Sequence, residues 1–268
     1  MSLNQPITWI LESDVFPHGD VLAEAARAAR QAILIWKDEW WANEGWPRLR
    51  GPAVFHGSLG NADRIRRELP WKPGAFCNTP AFACSAWYES ARRYLLHANW
   101  EIMPATEAVA QGDDLIDRIG GGSAVFVRPD SPLKPFSGRV VKRGKLSLRA
   151  LDHGFYYDDE ELPVVVAAVQ QVMREWRFVV CDRRIAAGSA YLAADRTPVG
   201  EYELNEPREF AAMVVNELPP PELIYVMDVC ETPEGLRLLE LNPFSGADLY
   251  ECNGASVLDA VVSTLQDN

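Results

Sequence analysis

The chain has no arrangement of cysteines or histidines that would mark a metal centre. Its five cysteines form no CxxC pair, and its four histidines show no metal-ligand spacing. These counts predict free thiols in a reducing compartment. No apolar stretch reaches the roughly 18 residues that a membrane-spanning helix needs, and the N-terminal residues do not resemble a signal peptide. We therefore expect a soluble, cytoplasmic protein with no membrane partner.

Positive charge is also scarce. The chain carries 26 Lys and Arg residues against 38 Asp and Glu, for a net charge of −12. Such a balance argues against a sequence-independent grip on nucleic acid, although a local basic pocket for phosphates stays compatible with it. Apolar residues make up 48% of the chain, which is typical of a globular protein. Its 268 residues are enough for one large or two medium domains.

Short apolar runs alternate with helical patterns over the first hundred residues. Strands are predicted at 7–11, 32–36 and 53–56, and a helix over 20–30 begins at Asp20 as its N-cap. This alternation predicts a small α/β domain with a parallel sheet. Near residue 100 the pattern of alternating strands and helices changes. We therefore expect domains of residues 1–99 and 100–268. The glycine-flanked turn at 57–60 is either an anion site at a helix N-terminus or a plain strand-to-helix turn.

Two apolar strands near the C-terminus, 225–230 and 236–244, are joined by a tight turn and contain three oxygen-bearing side chains. Glu240 and Asn242 are two apart, so they share a face of the strand, and a hairpin folded about 233–235 brings Asp228 opposite Glu240. Two carboxylates and an amide form an oxygen-only site of the kind that Mg²⁺ shares with phosphates. The alternative is a solvent-facing hairpin with scattered acids.

Several cations lie in or beside apolar strands, which is unusual in an acidic chain. Arg128 ends a predicted strand and Lys134 follows six residues later, so the pair either binds phosphates or consists of ordinary surface cations. Lys142 and Arg143 fit the surface interpretation better. Arg177 lies within a strongly apolar strand, where an arginine pairs with an acid or with an anionic ligand.

Three segments in this order resemble one family. They are FVRPDSPLKPFSG at 126–138, REWRFVVCDRRIAAGSAY at 174–191 and LLELNPFSGADLY at 238–250. Together they are similar to the ATP-grasp superfamily, in the clade named for two arginines and a lysine. The resemblance covers about residues 100–268 and implies an ATP-grasp fold of the α/β (α+β) class, preceded by the small α/β domain of residues 1–99.

The resemblance also implies ATP and Mg²⁺ as cofactors and assigns roles by position. The sequence departs from the general ATP-grasp pattern in one respect: it has no long Gly-rich loop to cover the phosphates, and only residues 135–138 could do so. The implied assignments are Asp228, Glu240 and Asn242 for Mg²⁺; Arg128 and Lys134 for the ATP phosphates; the Val164–Val169 strand, including Val166, with backbone groups near Ala168 and Val169 for the adenine; Glu175 for the ribose; and Arg177 for the γ-phosphate or an acyl phosphate.

The implied reaction is the ATP-dependent activation of a carboxylate as an acyl phosphate, followed by attack of an amine. The partners would be small-molecule or peptide carboxylates and amines, with a homodimer as a family-level expectation. Ser189, Tyr191 and the 245–250 loop are expected near the acceptor, although the two tyrosines at 191 and 250 fit a core position better. The alternatives are a nucleotide-binding module without turnover and a kinase that stops at phosphorylation.

Overall fold

The computed structural model describes residues 6–16, 20–151, 159, 161–191, 198–200 and 204–267. The chain forms two compact units, which we call unit 1 (Met1–Asn78 with Met173–Asn268) and unit 2 (Thr79–Val172). Unit 1 is thus built from both ends of the chain. The division into domains 1–99 and 100–268 stays a prediction, because a compact unit need not coincide with a domain. No helix in the described ranges is long and apolar enough to cross a membrane.

The first part of unit 1 is a parallel sheet, as the sequence predicts, and its strand order is β2-β1-β3-β4. Asp20 caps the first helix, and its Oδ1 accepts hydrogen bonds from the N–H groups of Leu22 and Ala23, both at 3.0 Å. The elements in chain order are β1 (Thr8–Leu11), α1 (Val21–Ala28), β2 (Ala32–Ile35), α2 (Glu39–Asn43), β3 (Ala53–His56), α3 (Leu59–Glu68) and β4 (Pro73–Gly74).

Unit 2 is an antiparallel sheet of order β5-β8-β6-β7 with helix α6 packed against it. The strand that the sequence predicts to end at Arg128 corresponds to β6. Buried apolar residues of the sheet and of α6 form one core. The elements are α4 (Thr79–Phe82), α5 (Cys84–Ala91), β5 (Trp100–Pro104), α6 (Ala105–Ile119), β6 (Ala124–Pro129), β7 (Arg139–Lys142), a 3-10 turn (Arg149–Leu151) and β8 (Pro163–Ala168).

The C-terminal part of unit 1 is a second antiparallel sheet, of order β11-β10-β9-β12-β13. Hairpin β9–β10 turns at Asp182 and Arg183, both at positive φ, the conformation of a tight primed turn. The elements are β9 (Arg174–Cys181), β10 (Arg184–Tyr191), β11 (Pro198–Gly200), α7 (Asn205–Glu217), β12 (Ile224–Thr232), β13 (Gly235–Pro243), a 3-10 turn (Phe244–Gly246) and α8 (Gly254–Asp267).

One hydrophobic core joins the two parts of unit 1. Trp9 of β1, Val226 of β12 and Phe244 after β13 are all fully buried in it. Helices α1 and α8 pack closely, and a Cβ added at Gly254 would lie 2.2 Å from the carbonyl oxygen of Val21. The strands that carry the acidic hairpin are therefore anchored to the parallel sheet by shared packing rather than by the chain connection alone.

Candidate functional site

The three oxygen-bearing side chains of the β12–β13 hairpin lie together on one face. Asp228 is directly opposite Glu240 in the register, and Asn242 is opposite Val226. The Nδ2 amide of Asn242 donates to Asp228 Oδ2 and to Glu240 Oε2, each at 3.0 Å. Asp228 and Asn242 are buried, and Glu240 is half-buried. The arrangement excludes the alternative of scattered, solvent-facing acids.

Arg177 of β9 forms a buried, bidentate ion pair with Asp228. Its Nε lies 2.8 Å from Oδ1 and its Nη2 lies 2.7 Å from Oδ2, because β9 and β12 are neighbours and the two residues are directly opposite. A third donor, Nη1, reaches the carbonyl oxygen of Asp248 at 2.6 Å. Of the two partners that the sequence left open for Arg177, the structure therefore shows the acid.

Electrostatics keep the guanidinium of Arg177 charged. Burial alone lowers the pKa of the Arg177 guanidinium, but the charge of Asp228 and its hydrogen bonds outweigh burial, so the pKa lies well above its usual value. The Asp228 carboxyl group that this guanidinium binds is also the one that could contribute an oxygen to a divalent cation. Arg177 thus acts on the metal-ligand candidate directly.

Two stacked tyrosines cover the guanidinium of Arg177. The rings of Tyr191 and Tyr250 lie 4.7 Å apart, and the guanidinium carbon lies 4.8 Å from the centroid of Tyr250. Burial and the nearby carboxylates raise the pKa of Tyr191 well above its ordinary value, and its hydroxyl donates to Glu175. Tyr191 is therefore neutral at physiological pH. The predicted ribose role of Glu175 is not tested by this contact.

The loop after β13 is held against the parallel sheet by backbone hydrogen bonds. Ser245 Oγ accepts from Phe76 N at 2.9 Å, and the Ser245 carbonyl accepts from Gly57 N at 2.9 Å. His56 Nε2 lies 3.1 Å from the carbonyl oxygen of Ala247. These contacts position the next residue, Asp248, to receive Arg177.

The serines expected near an acceptor are buried. Ser245 and Ser189 have no exposed surface. Ser189 Oγ donates to the Ala190 carbonyl at 3.2 Å and accepts from Glu251 N at 3.3 Å. Their hydroxyls therefore support the backbone, and the expectation that these residues lie near the acceptor stays a prediction. The tyrosines at 191 and 250 occupy the core position that the sequence favoured for them.

The turn at 57–60 is a plain strand-to-helix turn. Ser58 is the N-cap of α3, and the carboxylate of Glu12 lies at the start of this helix. Glu12 Oε2 accepts from the N–H and the hydroxyl of Ser58, both at 2.8 Å, while Oε1 accepts from Asn61 at 3.0 Å. The chain supplies its own anion at this helix N-terminus. The sequence signal that was missed is an acid directly after β1.

Arg128 and Lys134, the predicted phosphate-binding cations, lie in unit 2. Arg128 is near the end of β6 and is only 9% exposed, while Lys134 lies in the following loop at a positive φ of 51°. Burying the charged guanidinium of an arginine removes its hydration, and a hydrogen-bonding or charged partner must compensate for this cost. Their role towards a phosphate stays a prediction.

The strand predicted to lead to the adenine is β8, and its end is already hydrogen-bonded. Val166 is fully buried, and the N–H of Ala168 donates to the Asn99 carbonyl at 3.4 Å. The Ala168 carbonyl lies 3.2 Å from His97 Nδ1. Val169, just beyond the strand, is 43% exposed. The edge of a base could therefore be read more readily at Val169 than at Ala168, and both assignments stay predictions.

His97 is a structural histidine of unit 2. Its ring stacks on Phe126 with centroids 4.5 Å apart. Burial, with a further contribution from the charge of Arg128, lowers its pKa to about 4, so the ring is neutral near pH 7 and donates from Nδ1 to the Ala168 carbonyl. In the described part of the chain, no group of three or more His, Cys, Asp or Glu residues is placed to hold a metal.

Comparisons with known proteins identify the fold. Similar solved structures include the D-alanine–D-alanine ligase from Bacillus anthracis complexed with ATP (10% identity, TM-score 0.60, covering 98% of this chain and 99% of that one). The D-cycloserine synthetase DcsG is 15% identical, with a TM-score of 0.59 and coverage of 97% and 99%. The ATP-grasp ligase PsnB, complexed with a phosphomimetic precursor variant, Mg and ADP, is 14% identical, with a TM-score of 0.58 and coverage of 98% and 99%.

The sequence itself matches a family. Comparison with curated proteins gives no match. The model that matches is the ATP-grasp domain of family 2 in the clade named for two arginines and a lysine. It covers residues 113–260, which is more than half of the chain and includes the site strands β9, β12 and β13. With an α/β architecture shared with solved ATP-grasp structures, the chain belongs to this clade of the ATP-grasp superfamily.

Proposed function

We propose that the protein is an ATP-dependent ligase that joins a carboxylate to an amine through an acyl phosphate. The observation that carries this proposal is the convergence of Asp228, Glu240 and Asn242 on one sheet face, with Asp228 held by Arg177. Solved relatives of the same fold include ligases complexed with ATP or with Mg and ADP, which supports the choice of cofactors.

The three side chains fit a magnesium ion. All can offer oxygen, and two of them are carboxylates, which matches a hard cation that retains several waters. Asn242 donates its amide protons to both carboxylates, at the position where a cation would otherwise reduce their repulsion. Rotation of this amide would present its oxygen instead. We assign Mg²⁺ binding to these three residues, and bound Mg²⁺ would neutralise charge on the phosphate oxygens.

Arg177 is assigned a positioning role. Three of its donors are used by the Asp228 carboxylate and the Asp248 carbonyl, so the guanidinium fixes both oxygens of Asp228 in place. Arg128 and Lys134 are proposed to contact the phosphates, and Val169 to offer its backbone to the base. The reaction needs mainly positioning and charge compensation, which these residues would supply.

The substrate carboxylate oxygen forms a bond to the γ-phosphorus of ATP, and ADP leaves with the electrons of the broken bond. The amine then attacks the acyl carbon, loses a proton and expels phosphate. A ligase therefore releases phosphate only when both substrates are present. A kinase would yield a stable phosphorylated product from one substrate, and a binding module would yield no ADP.

The test is Mg²⁺-dependent ADP formation, measured against a panel of carboxylates and amines for the wild type and for Glu240→Gln. This substitution removes a charge but keeps an acceptor for Asn242, so we expect an intact fold and a loss of activity of at least about a hundredfold. The matched control is Glu234→Gln, the same change in the exposed turn of the same hairpin. Full activity of Glu240→Gln would remove the metal assignment.

A further inference from the structure

A groove of about 770 Å³ lies in unit 1, away from the hairpin site. It is formed by the segments that precede β3 and β4, residues 46–52 and 70–73, together with Leu265 of α8. It is therefore at the amino-terminal end of the parallel strands. The loop after β13 binds to the opposite end, through Gly57 and His56. The two regions are separated by the length of a four-residue strand, roughly 13 Å.

The groove is positively charged in an acidic protein. Arg48, Arg50 and Lys72 line it, and no Asp or Glu does. All three cations are exposed, and within the described ranges none has an ion pair or a side-chain hydrogen bond. By contrast, the three arginines of the neighbouring helix α3 each pair with an acid. A chain with a net charge of −12 thus keeps three unpaired cations on one surface feature of its described part.

The remaining walls are apolar and poor in backbone donors. Trp46 and Leu49 are half-buried against the core, and Trp71 is held by a hydrogen bond from its Nε1 to the Pro47 carbonyl at 3.1 Å. Four prolines, which have no N–H, contribute to the lining. Recognition here therefore depends on the side chains. Arginine forks suit carboxylates, and indole and proline rings suit apolar side chains.

We propose that this groove is a docking site for an acidic peptide segment in which carboxylate side chains alternate with apolar ones. The spacing of Arg48 and Arg50, with Leu49 turned inwards between them, matches an extended ligand whose acids also recur every second residue. Three cations suit a few carboxylates, whereas the overall negative charge opposes a long nucleic acid. The inference goes beyond the proposed ligase activity, because none of these residues is assigned to the nucleotide or the metal.

The test is fluorescence anisotropy of the full chain with a fluorescein-labelled twelve-residue peptide of alternating Glu and Leu. We expect saturable binding that weakens with salt, and much weaker binding of the neutral peptide in which Gln replaces every Glu. The double variant Arg48→Glu/Arg50→Glu should bind about tenfold more weakly or worse. The matched control, Lys142→Glu/Lys145→Glu, changes the net charge equally at exposed positions of unit 2 and should stay within about twofold of wild type.

Equal weakening in both double variants would show non-specific electrostatics and overturn the proposal, as would wild-type binding by the groove variant or no saturable binding at all. Tighter binding of a twelve-nucleotide oligo-dT through the same arginines would assign the groove to nucleic acid instead. ADP formation by the groove variant is measured separately, so that a failed ligase assignment and a failed docking assignment are distinguishable.

Discussion

Asn242 reduces the electrostatic repulsion between the neighbouring carboxylates of Asp228 and Glu240. Asp228 and Glu240 would repel each other across the hairpin, and burial of Asp228 would strengthen this repulsion. The amide of Asn242 donates to both, and Arg177 neutralises one of them. Asn242 is thus a stabilising bridge between the two carboxylates, and in the proposed site its amide oxygen would bind the cation.

Replacing this amide by a third carboxylate should make folding depend on Mg²⁺. We expect Asn242→Asp to lower the free energy of unfolding by about 1–3 kcal/mol without Mg²⁺, because a buried hydrogen-bond donor becomes a like charge. Millimolar Mg²⁺ should restore most of this loss. The measurement is urea denaturation with Mg²⁺ and with EDTA.

The control for this experiment is Asn216→Asp, the same chemical change on the exposed face of α7. The free energy of unfolding of this variant should be the same with Mg²⁺ and with EDTA. An equal loss of stability in Asn242→Asp with and without Mg²⁺ would contradict the assignment of this residue as a metal ligand.

Glu222 is a buried carboxylate in the connection between α7 and β12. Its Oε2 accepts from the N–H of Asn78 at 3.2 Å, and its Oε1 lies 3.6 Å from Nη1 of Arg66. These partners do not offset its desolvation, and burial raises the pKa of Glu222 from 4.5 to about 7. The folded protein therefore binds this proton more tightly than the unfolded chain does.

This shift determines the direction of a pH effect. Between pH 4.5 and about 7 the folded state keeps the proton that the unfolded state loses, so the free energy of unfolding falls as the pH rises through this range. The full effect corresponds to about 3 kcal/mol. Glu222→Gln should therefore be more stable than wild type at pH 8 and nearly equal to it at pH 5. Chemical denaturation at both pH values measures this, and the same difference at both would refute it.

At the scale of elements, the loop after β13 fits closely against helix α3. A Cβ at Gly246 would lie 2.8 Å from Cα and 2.5 Å from Cδ1 of Leu59. The position therefore requires glycine because of close approach rather than because of its φ. The fit matters because this loop carries the carbonyl of Asp248 that binds Arg177.

Two Gly→Ala substitutions near the contact between this loop and α3 should differ in their effect on the free energy of unfolding. Gly246→Ala forces the loop and α3 apart, and we expect it to lower the free energy of unfolding by about 1–3 kcal/mol. Gly60→Ala, in the first turn of α3, meets no atom within 4 Å and should leave stability unchanged or raise it by up to about 1 kcal/mol. Urea denaturation of both variants gives the comparison. Equal effects would show that the packing of this loop is loose.

Local signals predicted several elements correctly. The Asp20 cap and the alternation in the last hairpin both depend on residues within a few positions of one another. The local sequence does not distinguish the two interpretations of the turn at 57–60, because the anion at this helix start comes from Glu12, 46 positions away from Ser58. Contacts over such separations leave no periodic trace in the sequence.

At the scale of the whole molecule, the five thiols are part of the core. All five cysteines are buried and free, and burial raises the pKa of Cys181, Cys230 and Cys252 to about 12. Thiolate is the reactive form of cysteine. Burial both blocks reagents from reaching these thiols and keeps them protonated, so they are protected from reaction. We expect almost no reaction of the native protein with DTNB, and five equivalents after unfolding in guanidinium. Rapid reaction of even one thiol in the native state would contradict this burial.

The sequence by itself determined the face on which Asp228, Glu240 and Asn242 lie, because the two-residue period of a strand and a short turn are local properties. It also determined the family, through three segments in order. Only the tertiary structure decided that Arg177 pairs with Asp228, that Glu12 occupies the start of α3, and that Lys72 shares one groove with Arg48 and Arg50. The physical reason is that the partner of a buried charge depends on which strands become neighbours, and strand order is set by the packing of the entire core.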